Sequence, residues 1–174
     1  MDETGRLNAL KLALDNELKE REFYLKNAER TKNTVGKRMF QQIADEELEH
    51  HERLKQLYDN WKRQERWPET LPLKVKDSLV RDILQNLEEK VEEGPWKDAD
   101  DLNAIRIAID FEAKGASYYA KLRDEVEDQK EKEFFNLLAN IEHEHYVSLK
   151  DTEEYLTDPA SWYTKKERHG LDGA

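Results

Sequence analysis

Two sets of residues recur along this chain with the same internal spacing. Glu17, Tyr24, Glu47 and His50 are repeated as Glu112, Tyr119, Glu142 and His145, each displaced by 95 residues. In both sets the tyrosine follows the first glutamate by 7 residues, the second glutamate by 30 and the histidine by 33. Such a repeat limits the chain to folds in which two halves place like residues in like positions. Apolar spacing around the repeat narrows the choice further. Phe40, Ile43, Glu47, His50, Leu54, Leu57 and Trp61 step by three and four, as do Phe135, Leu138, Glu142, His145, Leu149 and Leu156. That period describes helices with one face turned to a partner. Leu7, Leu10, Leu14, Glu17, Tyr24 and Ala28 form a third stripe, and Leu102, Ile105, Ile109, Glu112, Ala116 and Tyr119 a fourth. The register breaks where Arg21 stands against Ala116.

The stripes place four glutamates and two histidines at core positions, where an unpaired carboxylate costs several kcal/mol, on the order of a lost buried ion pair. A lone Glu-x-x-His is weak evidence in a chain this rich in glutamate. Two copies in heptad register, each 30 residues after a partner glutamate, point to metal ligation. The competing reading, buried salt bridges without metal, leaves four acids facing only two imidazoles. Four carboxylates carry the charge that two divalent cations neutralise. Carboxylate and imidazole donors together suit iron or manganese, with zinc as an adventitious occupant. Ions sharing carboxylates would stand roughly 3.5–4 Å apart, a spacing that clamps the two oxygens of a small oxidant.

Composition sets the remaining bounds. A chain of 174 residues is one domain by length. With 40% charged residues and a net charge of -11, it is a poor partner for nucleic acid or an anionic membrane. It contains no cysteine, which excludes thiolate zinc sites and iron–sulfur ligation by these residues. The segment MDETGRLNAL lacks the apolar stretch of a signal or a membrane span, so the expected location is cytoplasmic.

The periodicity predicts long helices over about 4–29, 34–63, 99–126 and 129–156. Short polar joints near Thr31 and Asp128 make each successive pair antiparallel. Pro68 and Pro72 break the chain between the pairs, where Leu79, Val80, Ile83, Leu84 and Leu87 predict a shorter helix over 76–92. Asp98 or Asp100 is positioned to cap the third long helix, and Trp162 and Tyr163 in the tail 157–174 are candidates to dock on the bundle. The expected architecture over 1–174 is an all-α four-helix bundle of two hairpins joined by a long crossover. Tyr24 and Tyr119 fit two roles, core filling or donation to the ligand carboxylates. Glu46 is placed to orient His145 across the bundle, whereas Ile141 holds the matching place in the other half. His51, His143, Glu49, Glu52 and Glu144 belong to flanking or solvated faces, and His169 to the tail.

At the strings LALDNELKEREFY, FQQIADEELEHHERL, IAIDFEAKGASYY and FFNLLANIEHEHYVSL the chain resembles the rubrerythrin branch of the ferritin-like superfamily, over roughly residues 4–156. The resemblance implies a non-haem di-iron centre that reduces hydrogen peroxide, with some relatives acting on dioxygen or oxidising ferrous iron. It carries the metal ligands onto Glu17, Glu47, His50, Glu112, Glu142 and His145. In that reading Glu17, Glu47, Glu112 and Glu142 serve the reaction, with Glu17 and Glu112 as terminal ligands and Glu47 and Glu142 as bridges. Two departures stand out. Typical members append a rubredoxin-like domain with four cysteines; none is present here, so electrons are expected from an external donor such as a rubredoxin-like protein. Members also usually carry a glutamate three residues after the third-helix ligand, where this chain has Gly115. A homodimer is the expected assembly. The alternatives are iron handling by the same site and a metal-binding protein without turnover.

Overall fold

A computed structural model of the chain describes residues 3–64, 78–80, 83 and 99–164. Four long helices account for most of these: α1 (Glu3–Arg30), α2 (Thr34–Gln64), α3 (Ala99–Glu125) and α4 (Gln129–Thr157). No strand occurs among the described residues. Most of the helix expected over 76–92 lies outside them. Of that stretch Ser78, Leu79, Val80 and Ile83 are described: Val80 and Ile83 are helical and buried in the core, whereas Leu79 is exposed and not helical.

Each hairpin is closed by a side chain that caps its second helix. Asn33 accepts a hydrogen bond from the Gly36 N–H at 2.9 Å, and Asp128 accepts from the Lys130 and Glu131 N–H groups at 2.8 and 3.1 Å. These donors have no partner within the helix, so a short polar side chain at the joint is what starts α2 and α4. Asn33 and Asp128 are themselves 95 residues apart. Asp100 lies inside the first turn of α3, where its charge meets the positive helix end. Asp98 lies outside the described residues.

The helices pack closely within α1–α2 and within α3–α4, while α1 and α3 approach one another less closely. That looser seam explains why Leu7, Leu14, Leu102 and Ile109, though in the apolar stripes, are only half-buried. A buried polar knot joins the hairpins at one end. Asp101 of α3 pairs with Arg30 at 2.7 Å and accepts from the Thr31 hydroxyl at 2.7 Å. Towards the other end, Arg6 of α1 meets Glu131 of α4 at 3.1 Å and lies 4.4 Å over the Trp61 ring.

The core falls into two apolar clusters, and every helix contributes to both. One contains Tyr24, Phe40, Ile43, Ile105 and Leu149; the other contains Leu10, Leu54, Tyr119, Phe135 and Leu138. Each helix changes cluster where it carries a buried glutamate: Glu17, Glu47, Glu112 and Glu142. The pseudo-two-fold that relates the halves exchanges the clusters, so that Tyr24 beside Phe40 (6.1 Å between ring centroids) corresponds to Tyr119 beside Phe135 (6.5 Å). After Thr157 the helical residues 159–164 fold back, and buried Trp162 packs edge-on against Tyr155 at 5.3 Å.

Phe40 is fully buried in one of these clusters. Phe40→Ala is expected to cost about 3–5 kcal/mol, seen as a lower urea midpoint at unchanged slope.

Candidate metal centre

Between the two apolar clusters lies a single polar layer. Glu17, Glu47, Glu112 and Glu142 are buried there with His50 and His145. The two imidazole rings are nearly parallel, 6.0 Å apart. One nitrogen of each ring faces three carboxylates. His50 Nδ1 is 3.0 Å from Glu47 Oε2, 3.3 Å from Glu17 Oε2 and 3.4 Å from Glu142 Oε1. His145 Nδ1 is 3.2 Å from Glu112 Oε2, 3.4 Å from Glu47 Oε1 and 3.9 Å from Glu142 Oε2. Glu47 and Glu142 thus each offer one oxygen to either side, while Glu17 serves only His50 and Glu112 only His145.

A ring nitrogen carries at most one proton and cannot satisfy three acceptors. The result is visible in what is left over: Glu17 Oε2, Glu47 Oε1, both oxygens of Glu142 and His50 Nε2 are buried and make no hydrogen bond. Two groups, Glu17–Glu47–His50–Glu142 and Glu47–Glu112–Glu142–His145, each bring four donor atoms within 4.8 Å of one another.

Both tyrosines reach across to the opposite hairpin. The Tyr24 hydroxyl of α1 donates to Glu112 Oε1 of α3, and the Tyr119 hydroxyl of α3 donates to Glu17 Oε1 of α1. Burial, together with the facing carboxylate, pushes each phenol well above its ordinary range, so both remain donors. Glu46 supplies the other hydrogen bond of His145, with Oε2 at 2.6 Å from Nε2. Glu46 Oε1 is in turn held by the Leu79 N–H at 2.9 Å and by Gln42 at 2.7 Å, so the crossover segment steadies it. Despite burial, the bond to His145 keeps the Glu46 carboxyl below its usual range. With Nε2–H committed to Glu46, Nδ1 is the ring nitrogen of His145 that faces the carboxylates, and the one that would ligate on losing its proton. His50 has no such partner, because Ile141 stands in the corresponding place.

The sequence reading missed Glu20. One turn beyond Glu17, it is half-buried and lines a cavity of about 360 Å³ with Glu17, Gly115 and Tyr119. Its signal lay in the repeat itself, since 20 and 115 are the same place in the two halves. His51 and Glu49 are half-buried beside the layer, and Glu52, His143 and Glu144 are exposed. His169 lies outside the described residues.

The layer holds protons that its residues would release in water. Burial and the Glu47 charge push Glu17 up to about 8, and burial with the charges of Glu47, Glu112 and Glu17 pushes Glu20 up to about 10. Glu142 is raised for the same reasons, burial first, then Glu47 and Glu112. Against the cost of burial, the surrounding carboxylates raise His50 and His145 well above the usual imidazole range. Glu47 also resists burial and is held low by the two imidazoles that flank it. The unfolded chain releases the glutamate protons near 4.5 and the histidine protons near 6.5. Between pH 4.5 and about 8 the metal-free folded chain therefore binds more protons than the unfolded one, and its stability falls as pH rises. Below 4.5 the depressed Glu47 and Glu46 reverse the slope. Thermal unfolding of the metal-free protein should peak near about pH 5 and decline through pH 8. A flat or rising profile over that interval would contradict this assignment of protons.

The family model described as Rubrerythrin matches residues 8–153. Among solved structures, the chain is similar to a hypothetical protein from Pyrococcus furiosus, at 25% identity and a TM-score of 0.65, over 86% of this chain and 89% of that one. No curated protein matches. Since the matched stretch spans both repeated sets and all four helices, the chain belongs to the rubrerythrin family.

Proposed function

We propose that this chain is a non-haem di-iron oxidoreductase that reduces hydrogen peroxide. Glu17, Glu47, His50, Glu112, Glu142 and His145 would hold the two ions, with Glu47 and Glu142 shared between them. The observation that carries the reading is the division of the Glu47 and Glu142 oxygens between two imidazole nitrogens. The stranded carboxylate oxygens fit the group, because cations satisfy acceptors that no donor in the bundle reaches. The donor set favours iron or manganese over thiolate-seeking metals.

When bound, two ferrous ions supply the two electrons that, with two protons, convert hydrogen peroxide to two waters, and an external donor restores them. These 174 residues contain no cysteine, so the donor group lies outside them. The protein's part is to bind and orient. Tyr24 and Tyr119 fix one oxygen of Glu112 and Glu17, leaving the other free to ligate. Glu46 fixes the tautomer of His145. The apolar clusters above and below the layer close it on those two sides, which leaves the cavity lined by Glu17 and Tyr119 as the approach for a small oxidant.

Metal analysis should find two iron ions per chain, and the anaerobic diferrous protein should be oxidised faster by peroxide than by dioxygen in stopped flow. Oxidation no faster with peroxide would sink the peroxidase reading in favour of iron handling. Glu46→Ala should weaken one of the two ions about 10–100-fold and leave the other unchanged, as read by metal titration.

A further inference from the structure

Between α1 and α3 the polar layer is open to a cavity of about 360 Å³, lined by Glu17, Glu20, Phe111, Gly115 and Tyr119 among others. Gly115 separates it from Glu142. A Cβ placed there would lie 3.3 Å from Glu142 Oε2 and 3.4 Å from its Cδ and Cγ, so the missing side chain is what makes room for that carboxylate beside the cavity. Both oxygens of Glu142 are buried and without a hydrogen bond. Any side chain at position 115 would press on Glu142, and the corresponding position on α1 carries Glu20 instead.

Resting on the di-iron reading above, we propose that Glu20 is a seventh ligand of the centre, its fifth carboxylate, delivered from α1 through the cavity that it lines with Glu17 and Gly115. It lines that cavity together with Glu17 and with Tyr119, the donor to Glu17. Burial first, then the charges of Glu47, Glu112 and Glu17, raise its carboxyl above the usual range, with His145 opposing. A carboxylate ligand gives up its proton when it takes a cation. Glu20 is half-buried and the other four glutamates are fully so. It therefore has room to swing between the cavity and the layer without disturbing the core.

The test is cobalt(II) titration of the full chain, followed by calorimetry and visible absorption, for wild type, Glu20→Gln, Glu20→Ala and Glu22→Gln. Glu22 is exposed on the same helix and controls for net charge. Wild type should take two ions. Both Glu20 variants should also take two, one of them at least about tenfold more weakly and with altered visible bands, while Glu22→Gln matches wild type. Far-UV circular dichroism checks that the variants are folded, and the alanine variant stands in should glutamine disturb the cleft. Isotherms and spectra superimposable on wild type for both Glu20 variants overturn the proposal, as does an equal loss in Glu22→Gln. Fewer than two cobalt ions on the wild-type chain would instead overturn the di-iron reading from which the proposal starts.

Discussion

Four carboxyls and two imidazoles buried in one layer are the constraint around which the bundle is organised. Placed in apolar surroundings singly, each would cost more free energy than a domain of this size has to spare. Gathered together, they relieve one another by sharing protons, by pairing imidazole with carboxylate, and by drawing a phenol from the opposite hairpin onto each of Glu17 and Glu112. The relief is incomplete, as the stranded oxygens of Glu142 and Glu47 record. A site that is stable enough to form and still short of positive charge is a site prepared for cations. The apolar clusters on either side supply much of the remaining folding free energy and close the layer on two sides.

Much of this was legible in the sequence, because the period of a helix and the period of the repeat agree. A stripe that steps by three and four must face inward over its whole length, so a glutamate within it must be buried, as Glu17, Glu47, Glu112 and Glu142 are. Helix ends were equally readable from the polar joints that hold Asn33 and Asp128. Periodicity cannot say how closely two stripes meet. Leu14 and Ile109 lie in stripes and are only half-buried, because the α1–α3 seam is looser than the hairpin interfaces. The direction of the tyrosines was also beyond it. Tyr24 and Glu17 share a helix face, yet Tyr24 donates to Glu112, and only the crossing of α1 over α3 decides that. Glu20 was missed since a glutamate one turn from a ligand looks like ordinary surface charge until the facing Gly115 is seen.

The pseudo-symmetry is broken at two places. Glu46 meets His145 where Ile141 leaves His50 without a second partner. Glu20 stands where the other half carries Gly115, and both line one cavity. A duplicated scaffold thus presents two half-sites that are alike in their carboxylates and unlike in the groups behind them. The imidazole with an anionic partner is the more basic donor, so the halves differ in electron density before anything binds.

His50 of the first hairpin lies 3.4 Å from Glu142 of the second, and His145 of the second lies 3.4 Å from Glu47 of the first. Neither hairpin owns a complete set of donors. Anything that grips both sets at once acts as a clasp between the two hairpins, and by linkage its binding energy is added to the strength of a joint that the shared apolar clusters and the crossing tyrosines already make.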